Sequence, residues 1–291
     1  MVNVDFSEEQ FRSYLNSELV SNHQIFIPTQ PAESTMAVDA IMNSQNHTFW
    51  NMWEQIIHGT VVTENLWDGT SEPNPHHLDF NISFRANLFI QHKRPEYLFR
   101  RDSKEYNNWN QNYFRYKLDL DQQSDLSRLE SNVSHNDALV IYACPACPTF
   151  AELHSSAMSQ RIVENSNFVK ASDLDNHSRY TFISGGTEGL AFSEPSKIKS
   201  LELKKELSEL SGEEHKDNFQ FISSLSENIT SVIENSDEVF QHSYRSVLNS
   251  FEKTDEETKN MKDKKTKEFI HKIYAYLFVS NIQWRILYDR V

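Results

Sequence analysis

Apolar and polar residues alternate in short segments up to about residue 200, and a helical period dominates after it. Over 5–22 the apolar residues recur at helical spacing, which predicts an amphipathic helix. The uninterrupted apolar run Ala138–Ala143 predicts a central strand that is buried on both faces. Shorter strands are predicted at 25–27, 60–63, 113–118, 168–169, 179–183 and 189–192.

Helices are predicted between these strands and throughout the last third of the chain. Asp121 is a candidate N-cap for a helix through Leu129, and residues 150–165 also have helical character. Beyond residue 200, two apolar stripes and the stretch Phe269–Tyr288 predict a set of amphipathic and buried helices. The sequence therefore predicts an α/β (α+β) core over 1–199 and an all-helical module over 200–291.

The segment 79–93 has apolar residues on alternate positions and predicts a two-stranded hairpin. A three-residue loop at 85–87 suits this register, because Asn87 tolerates a positive φ. In that register Asp79 lies opposite Lys93, and Asn81 lies opposite Gln91. A carboxylate, a carboxamide and an ammonium would then share one polar patch of the sheet.

Composition and charge exclude several classes of function. The 291 residues include six glycines and no Gly-x-x-x-x-Gly-Lys segment, so a phosphate-binding P-loop is excluded. No apolar run is long enough to span a membrane, and no secretory leader is recognisable. With two cysteines, the expected compartment is the cytoplasm. A net charge of −14 argues against broad, nonspecific binding of nucleic acid, but local basic patches remain relevant.

Gln91-His92-Lys93, preceded by Asp79, resembles the active-site motif of the PD-(D/E)XK nuclease superfamily in its Gln-x-Lys variant. The resemblance implies a restriction-endonuclease-like mixed sheet flanked by helices. It also implies Mg²⁺-dependent (or Mn²⁺-dependent) hydrolysis of phosphodiester bonds, in DNA rather than RNA. The segment Pro28-Thr-Gln-Pro-Ala-Glu33, followed by Asp39, resembles an entry motif of bacterial Gln-x-Lys proteins, which implies a role in antiviral defence against phage. Gln91 replaces the more common acidic residue, which leaves one fewer negative ligand.

The resemblance assigns a role to each residue of the motif. Asp79 would be the main metal ligand, Gln91 would add a carbonyl oxygen, and Lys93 would act on water or phosphate. A further carboxylate is required, and the superfamily takes it from a helix before the sheet. The candidate that we favour is Glu33, and its rivals are Glu54 and Glu64, whereas Asp39 is a rival to Asp79.

A basic segment follows the motif and predicts contacts with nucleic acid. Cations alternate here with aromatic residues, which can hold backbone phosphates and stack on bases. The predicted contacts are Arg94, Arg100, Arg101 and Lys104, with the aromatic residues Tyr97, Phe99, Tyr106 and Trp109 between and beyond them. Gln122 resembles a glutamine that RecB-like members of the superfamily carry on a helix near the active site.

Two other functions compete with the active nuclease. The first is a catalytically inactive, nuclease-like subunit or interaction protein of a larger complex, with a protein partner or a second copy bound through the C-terminal helices. The second is a thiol redox protein, because Cys144-Pro-Ala-Cys147 lies between a predicted strand and a predicted helix. His76-His77 is close enough in sequence to Asp79 to approach the same site.

Overall fold

A computed structural model describes residues 2–22, 25–26, 82–210, 218–253 and 264–290. Within these ranges the protein is a mixed α/β structure, with two sheets flanked by eight α-helices. The strands are β1 (Val2–Asn3), β2 (Ile25–Phe26), β3 (Ile82–His92), β4 (Glu96–Leu98), β5 (Tyr113–Lys117), β6 (Ala138–Pro145), β7 (Ser166–Lys170), β8 (Arg179–Phe182), β9 (Glu188–Phe192), β10 (Ser196–Lys199) and β11 (Gln283–Arg290). The helices are α1 (Glu8–Asn22), α2 (Tyr106–Trp109), α3 (Leu120–Asn132), α4 (Phe150–Met158), α5 (Leu203–Glu209), α6 (Asn218–Glu234), α7 (Glu238–Lys253) and α8 (Lys264–Ser280).

The described residues group into two compact units, and each unit combines separate segments of the chain. The first unit contains residues 2–22, 89–131 and 138–210. The second contains 25–26, 82–88, 132–137, 218–253 and 264–290. These units are groups of segments, so the predicted division of the chain at residue 199 stays a prediction.

The first unit contains a six-stranded antiparallel sheet in the order β1-β4-β5-β8-β9-β10. Its residues alternate between faces, so cross-strand neighbours such as Phe114 and Phe182 lie side by side. A carboxylate, Glu105, is buried beside this sheet and pairs with Arg115 and Arg179 at 3.1 and 2.7 Å. The buried ion pairs link the loop before α2 to β5 and β8.

The end of β3, β6 and β7 form a second layer of strands in the first unit. Every residue of β6 is buried, as the continuous apolar run of the sequence predicted. The amide of Asn87 donates to the carbonyl of Asp137 at 2.6 Å, and the amide of Lys93 donates to that of Ala143 at 2.9 Å. From the first of these hydrogen bonds to the second, the donor position and the acceptor position both increase by six residues, which is the pattern of a parallel pair of strands. The segment between β3 and β6 includes α3.

The second unit consists of α6, α7 and α8 with β2, β11 and the beginning of β3. The buried stripe of α6 contains Phe221, Leu225 and Ile229, at the helical spacing that the sequence predicted. Phe221 packs edge-on against Phe84 of β3, with ring centroids 5.6 Å apart. The indole nitrogen of Trp284 in β11 donates to the side-chain oxygen of Asn87 at 2.8 Å.

The predicted hairpin over 79–93 is wrong, because residues 82–92 form one continuous strand. The expected loop at 85–87 lies inside β3, where Ala86 is fully buried and Asn87 is 4% exposed. Leu88, Phe89 and Ile90 are also buried in succession, so β3 is covered on both faces. The predicted polar face of the hairpin therefore does not exist, and the register that opposed residue 79 to Lys93 is lost with it.

The ends of several other elements also differ from the prediction. The helix over 150–165 ends at Met158, and Phe269–Tyr288 divides into the end of α8 and most of β11. Asp119, rather than Asp121, caps α3, because its carboxylate accepts from the amides of Asp121 and Gln122 at 3.1 and 3.2 Å. Because β11 lies within it, the region 200–291 is not all helical. Its three long helices are confirmed.

None of the helices among the described residues has the length and the apolar character that crossing a membrane requires.

Candidate functional site

Lys93 follows β3 directly, and it contacts two elements of the first unit, β6 and α3. Its backbone amide donates to the carbonyl of Ala143 in β6 at 2.9 Å. Its ammonium donates to the amide oxygen of Gln122 in the first turn of α3 at 3.0 Å. The ammonium also lies 5.4 Å from the centroid of the Tyr142 ring. Lys93 is half-buried, so these contacts hold a charged group that is partly removed from water.

Two glutamine side chains continue the hydrogen bonding away from Lys93. The amide nitrogen of Gln122 donates to the side-chain oxygen of Gln91 at 3.1 Å, and the amide nitrogen of Gln91 donates to the carbonyl of His92 at 3.1 Å. An ammonium can only donate, so Lys93 requires the oxygen of Gln122 to face it. That orientation turns the Gln122 nitrogen towards Gln91. One charge therefore fixes the direction of both amides.

Two carboxylates, Glu8 and Asp119, carry the negative charge around Lys93. Burial lowers the pKa of Lys93, and the charges of Glu8 and Asp119 oppose this effect. Burial also raises the pKa of Glu8, while the Lys93 ammonium lowers it. Glu8 is the first residue of α1, and Asp119 is the residue that caps α3. The two helices thus place carboxylates near the one lysine at the end of β3.

Tyr142 is the aromatic residue whose ring faces the Lys93 ammonium. It is fully buried in β6, and its ring stacks on Tyr116 with centroids 6.0 Å apart. Its hydroxyl is buried and has no hydrogen-bond partner among the described residues. Burial raises the pKa of this hydroxyl, and the carboxylates of Asp119 and Asp175 raise it further. The phenol is therefore neutral over the physiological range and acts on Lys93 through the face of its ring.

Of the predicted active-site residues, Gln91, Lys93 and Gln122 are brought together by the structure. The predicted carboxylates Asp79, Glu33, Glu54, Glu64 and Asp39 lie outside the described residues, as does His76-His77. Within the described part of the chain, no three His, Cys, Asp or Glu side chains gather where they could hold a metal ion.

The cations of the predicted basic cluster are all exposed. The guanidinium of Arg94 donates to the backbone carbonyl of Val4 and is engaged at that position. Arg100, Arg101 and Lys104 lie in the exposed loop between β4 and α2. Because Glu105 at the end of this loop is buried and paired with two arginines, the loop has a fixed anchor.

The two cysteines lie in an environment that suppresses their reactivity. Both thiols are free and buried. Burial raises the pKa of Cys144 well above its ordinary value and raises that of Cys147 as well. His154, close to Cys147 in sequence, has its Nδ1 within 2.9 Å of the Tyr14 hydroxyl. An activated thiolate requires the opposite shift, so these contacts do not favour redox chemistry.

Glu8, Asp119 and Tyr142 are the site residues that the sequence did not reveal. Glu8 lies in a helix that was predicted correctly, but the required carboxylate was sought on helices closer in sequence to β3. The position of Glu8 at the start of an amphipathic helix was the available signal. Tyr142 was part of an apolar run, where an aromatic residue normally indicates only a core position.

Comparisons with known proteins give no match: no family model matches the chain, and neither a curated protein nor a solved structure is significantly similar. The resemblance to PD-(D/E)XK nucleases therefore depends on the residues themselves. The chemistry of the site is clear in outline. A half-buried ammonium, two carboxamides and a nearby carboxylate can bind a phosphate group, orient water and neutralise charge on oxygen.

Proposed function

We propose that this protein is a metal-dependent nuclease of the PD-(D/E)XK type that hydrolyses DNA in bacterial defence against phage. The observation that carries the proposal is the arrangement of Lys93, Gln122 and Gln91 at the end of β3. Lys93 and Gln91 form the Gln-x-Lys motif, and Gln122 is the glutamine that the resemblance expected near it. Gln122 forms direct hydrogen bonds with Lys93 and Gln91, which lie 29 and 31 positions away from it in sequence. The motif itself does not require these contacts.

The order of elements in the first unit supports the same proposal. The superfamily core contains a helix, a three-stranded meander whose last strand ends in the motif, a second helix and a further strand. The described residues offer counterparts to the helix, the last strand of the meander, the second helix and the further strand. Here α1, β3, α3 and β6 follow in that order, and β6 pairs alongside β3 in the parallel sense. This agreement concerns the arrangement of elements, and it adds to the agreement of the motif residues.

In the proposed reaction, the ammonium of Lys93, the carboxamides of Gln122 and Gln91 and the carboxylate of Glu8 each have a role. Lys93 stabilises negative charge on the phosphate or orients the attacking water, and its lowered pKa places it closer to the range of a proton carrier. Gln122 holds the ammonium in place, and Gln91 offers the second lone pair of its oxygen. Glu8 supplies a carboxylate on the helix that precedes the strand, which is where the superfamily takes one.

Mg²⁺, when bound, would polarise a phosphoryl oxygen and lower the pKa of a coordinated water. The described residues fit part of such a site: Glu8 offers a carboxylate and Gln91 an amide oxygen. A second carboxylate is needed, because Mg²⁺ prefers several hard oxygen ligands. The start of β3, which Asp79 precedes by three residues in sequence, lies about 33 Å along the strand from the motif. We therefore assign that role to Glu33, the carboxylate that the sequence favours.

A cleavage assay with the full chain tests the proposal. Supercoiled plasmid and labelled RNA of matched length are incubated with the protein in Mg²⁺, in Mn²⁺ or in EDTA. We expect cleavage of DNA that requires the metal. We also expect that Lys93→Ala, Glu8→Ala and Glu33→Ala each lower the rate by at least about 100-fold.

Matched control variants keep the assay specific. Lys199→Ala and Glu152→Ala each remove an exposed side chain of the same type from the first unit, and both are expected to keep the wild-type rate. Circular dichroism confirms that each inactive variant is folded. Wild-type cleavage by Lys93→Ala, or cleavage that persists in EDTA, would contradict the proposal.

A second function, an inactive nuclease-like subunit, is favoured by one observation. The motif has a neutral glutamine at position 91, where an acidic metal ligand is more common in the superfamily. Isothermal titration with Mn²⁺ separates the two functions. The nuclease requires binding that is weakened by Glu8→Ala, whereas the inactive subunit predicts no binding and co-purification with a partner protein.

A further inference from the structure

A column of aromatic rings crosses the six-stranded sheet of the first unit and ends at the protein surface. Phe182, Phe114 and Tyr97 are direct cross-strand neighbours on β8, β5 and β4. Their ring centroids are separated by 5.5 Å between Phe182 and Phe114 and by 5.1 Å between Phe114 and Tyr97. The Phe99 ring continues the column, with its centroid 6.1 Å from that of Tyr97.

Phe99 differs from the other three rings because it is exposed. Phe114 and Phe182 are buried, whereas 43% of Phe99 is accessible to solvent. Its neighbour Tyr97 is held from the far side, since the side-chain amide of Asn112 donates to the Tyr97 hydroxyl at 2.8 Å. An exposed aromatic ring that leans on a fixed ring loses little conformational entropy on binding. Phe99 is therefore suited to contact a flat partner.

Three cations follow Phe99 in the sequence of a chain whose net charge is −14. Arg100, Arg101 and Lys104 follow Phe99 in the same loop and are exposed. Within the described ranges, none of their side chains forms an ion pair with a carboxylate. The buried anchor Glu105 closes the loop at its other end. Exposed cations in one loop, against a net charge of −14, indicate that this loop attracts an anionic ligand.

We propose that Phe99 stacks on an unpaired base of a single-stranded nucleic acid, while Arg100, Arg101 and Lys104 hold the adjacent phosphates. Stacking requires an open base face, which a continuous duplex presents only at its ends, so the loop selects single strands over duplexes. This inference deepens the proposed function, because it names the form of nucleic acid that the nuclease would grip. It concerns binding alone and requires no cleavage.

Fluorescence anisotropy in EDTA tests the proposal without any catalytic step. The probes are a fluorescein-labelled 20-nucleotide oligothymidine and a blunt duplex of 20 base pairs. Phe99→Ala is expected to weaken binding of the single strand by about 5- to 150-fold, the range for loss of one stacked base. Phe99→Trp is expected to keep or improve the affinity. Binding of the duplex is expected to change by less than about twofold.

The charge of the loop is tested by the salt dependence of binding. Arg101→Ala is expected to reduce the slope of log K against log salt by about 0.7, because one phosphate contact is lost on a single strand. Lys199→Ala, which removes an exposed lysine on β10, is the control for charge. Met158→Ala, which removes a side chain 74% exposed on α4, is the control for exposed apolar area.

Two results would overturn the inference. The first is a Phe99→Ala variant, with a wild-type melting temperature, that binds the oligothymidine as the wild type does. In that case the exposed ring serves a protein partner or no partner. The second is an equal loss of single-strand and duplex affinity in Phe99→Ala. Protein that binds the single strand through Phe99 but cleaves no nucleic acid would contradict the nuclease and leave this inference standing.

Discussion

The ammonium of Lys93 lies 5.4 Å from the centroid of the Tyr142 ring, and it donates to Gln122 on its other side at 3.0 Å. One residue belongs to β6 and the other to α3, so Lys93 is held between a buried strand and the first turn of a helix. The aromatic face and the amide oxygen both favour the charged form. Burial opposes them and prevails, because the pKa of Lys93 is lowered overall.

Replacing Tyr142 tests how much its ring supports the charge on Lys93. Tyr142→Leu removes the aromatic face and is expected to lower the pKa of Lys93 further, by about 0.5–1 unit. Tyr142→Phe keeps the face and is expected to leave the pKa unchanged. Competitive acylation of lysines across a pH series, followed by mass spectrometry of the peptide that contains Lys93, measures both. Equal pKa values in the two variants would show that the ring has no such role.

Removing the Gln122 side chain separates positioning from binding. Gln122→Ala leaves the Lys93 ammonium without its hydrogen bond, and we expect cleavage to slow by about 10- to 100-fold in kcat. The affinity for oligonucleotide in EDTA is expected to stay within about twofold, because Gln122 acts through Lys93. Gln111→Ala, in an exposed loop of the same unit, is the control. A loss confined to affinity would assign Gln122 to substrate binding instead.

Lys93 is expected to lower the stability of the protein while it serves the site. Because its folded-state pKa is below 10.5, the folded protein binds fewer protons than the unfolded chain between that pKa and about 10.5. The cost of the buried charge is therefore full at neutral pH and disappears above about pH 10.5. Lys93→Met is expected to raise the free energy of unfolding at pH 7 by about 0.5–2 kcal/mol. Urea unfolding at pH 7 and pH 10 measures the change, and a gain that grows with pH would contradict this account.

Glu8 is expected to show the opposite dependence on pH. Its pKa is raised above 4.5, so the folded protein binds more protons than the unfolded chain between 4.5 and the raised value. Stability is lost as the pH rises through that window. Glu8→Gln is therefore expected to be more stable than the wild type at pH 7 and equally stable at pH 4.5. Chemical unfolding at the two pH values measures this, with Glu152→Gln as the exposed control.

Glu105 is expected to be a structural residue with a large effect on folding. Its carboxylate accepts from Arg179, Arg115 and Tyr113 at 2.7, 3.1 and 3.0 Å, and these partners hold its pKa below 4.5. Glu105→Gln leaves the buried arginines undercompensated and is expected to cost about 3 kcal/mol. The contribution of the carboxylate is present above pH 4.5 and is lost as the pH falls below it.

An exposed ion pair supplies the control for Glu105. Glu188 and Lys197 are separated by 3.6 Å, with 56% and 78% of their side chains exposed. Glu188→Gln is expected to change stability by less than about 1 kcal/mol. Similar losses in Glu105→Gln and Glu188→Gln would show that burial does not strengthen the network around Glu105.

Local pattern was enough to predict the elements whose burial follows their own sequence. The uninterrupted apolar run in β6 indicated a strand covered on both faces, and the 3.6-residue period of α1 and α6 indicated helices. Around residues 82–92 the same reasoning failed. Alternation there suggested two half-buried strands, whereas one strand packed on both faces makes the alternation irrelevant. Whether this segment forms one strand or two depends on its strand-pairing partners, which lie far away in sequence.

The sequence by itself determined the motif, the class of fold, the buried strand β6 and the helical period of α1 and α6. It also identified Gln91, Lys93 and Gln122 as residues of one site, through their resemblance to a known motif. Only the tertiary structure decided that Glu8 and Tyr142 approach Lys93, and that Phe99 ends a column of rings. The physical reason is that a side chain's charge and packing depend on neighbours from distant segments, and no local period records which segments will meet.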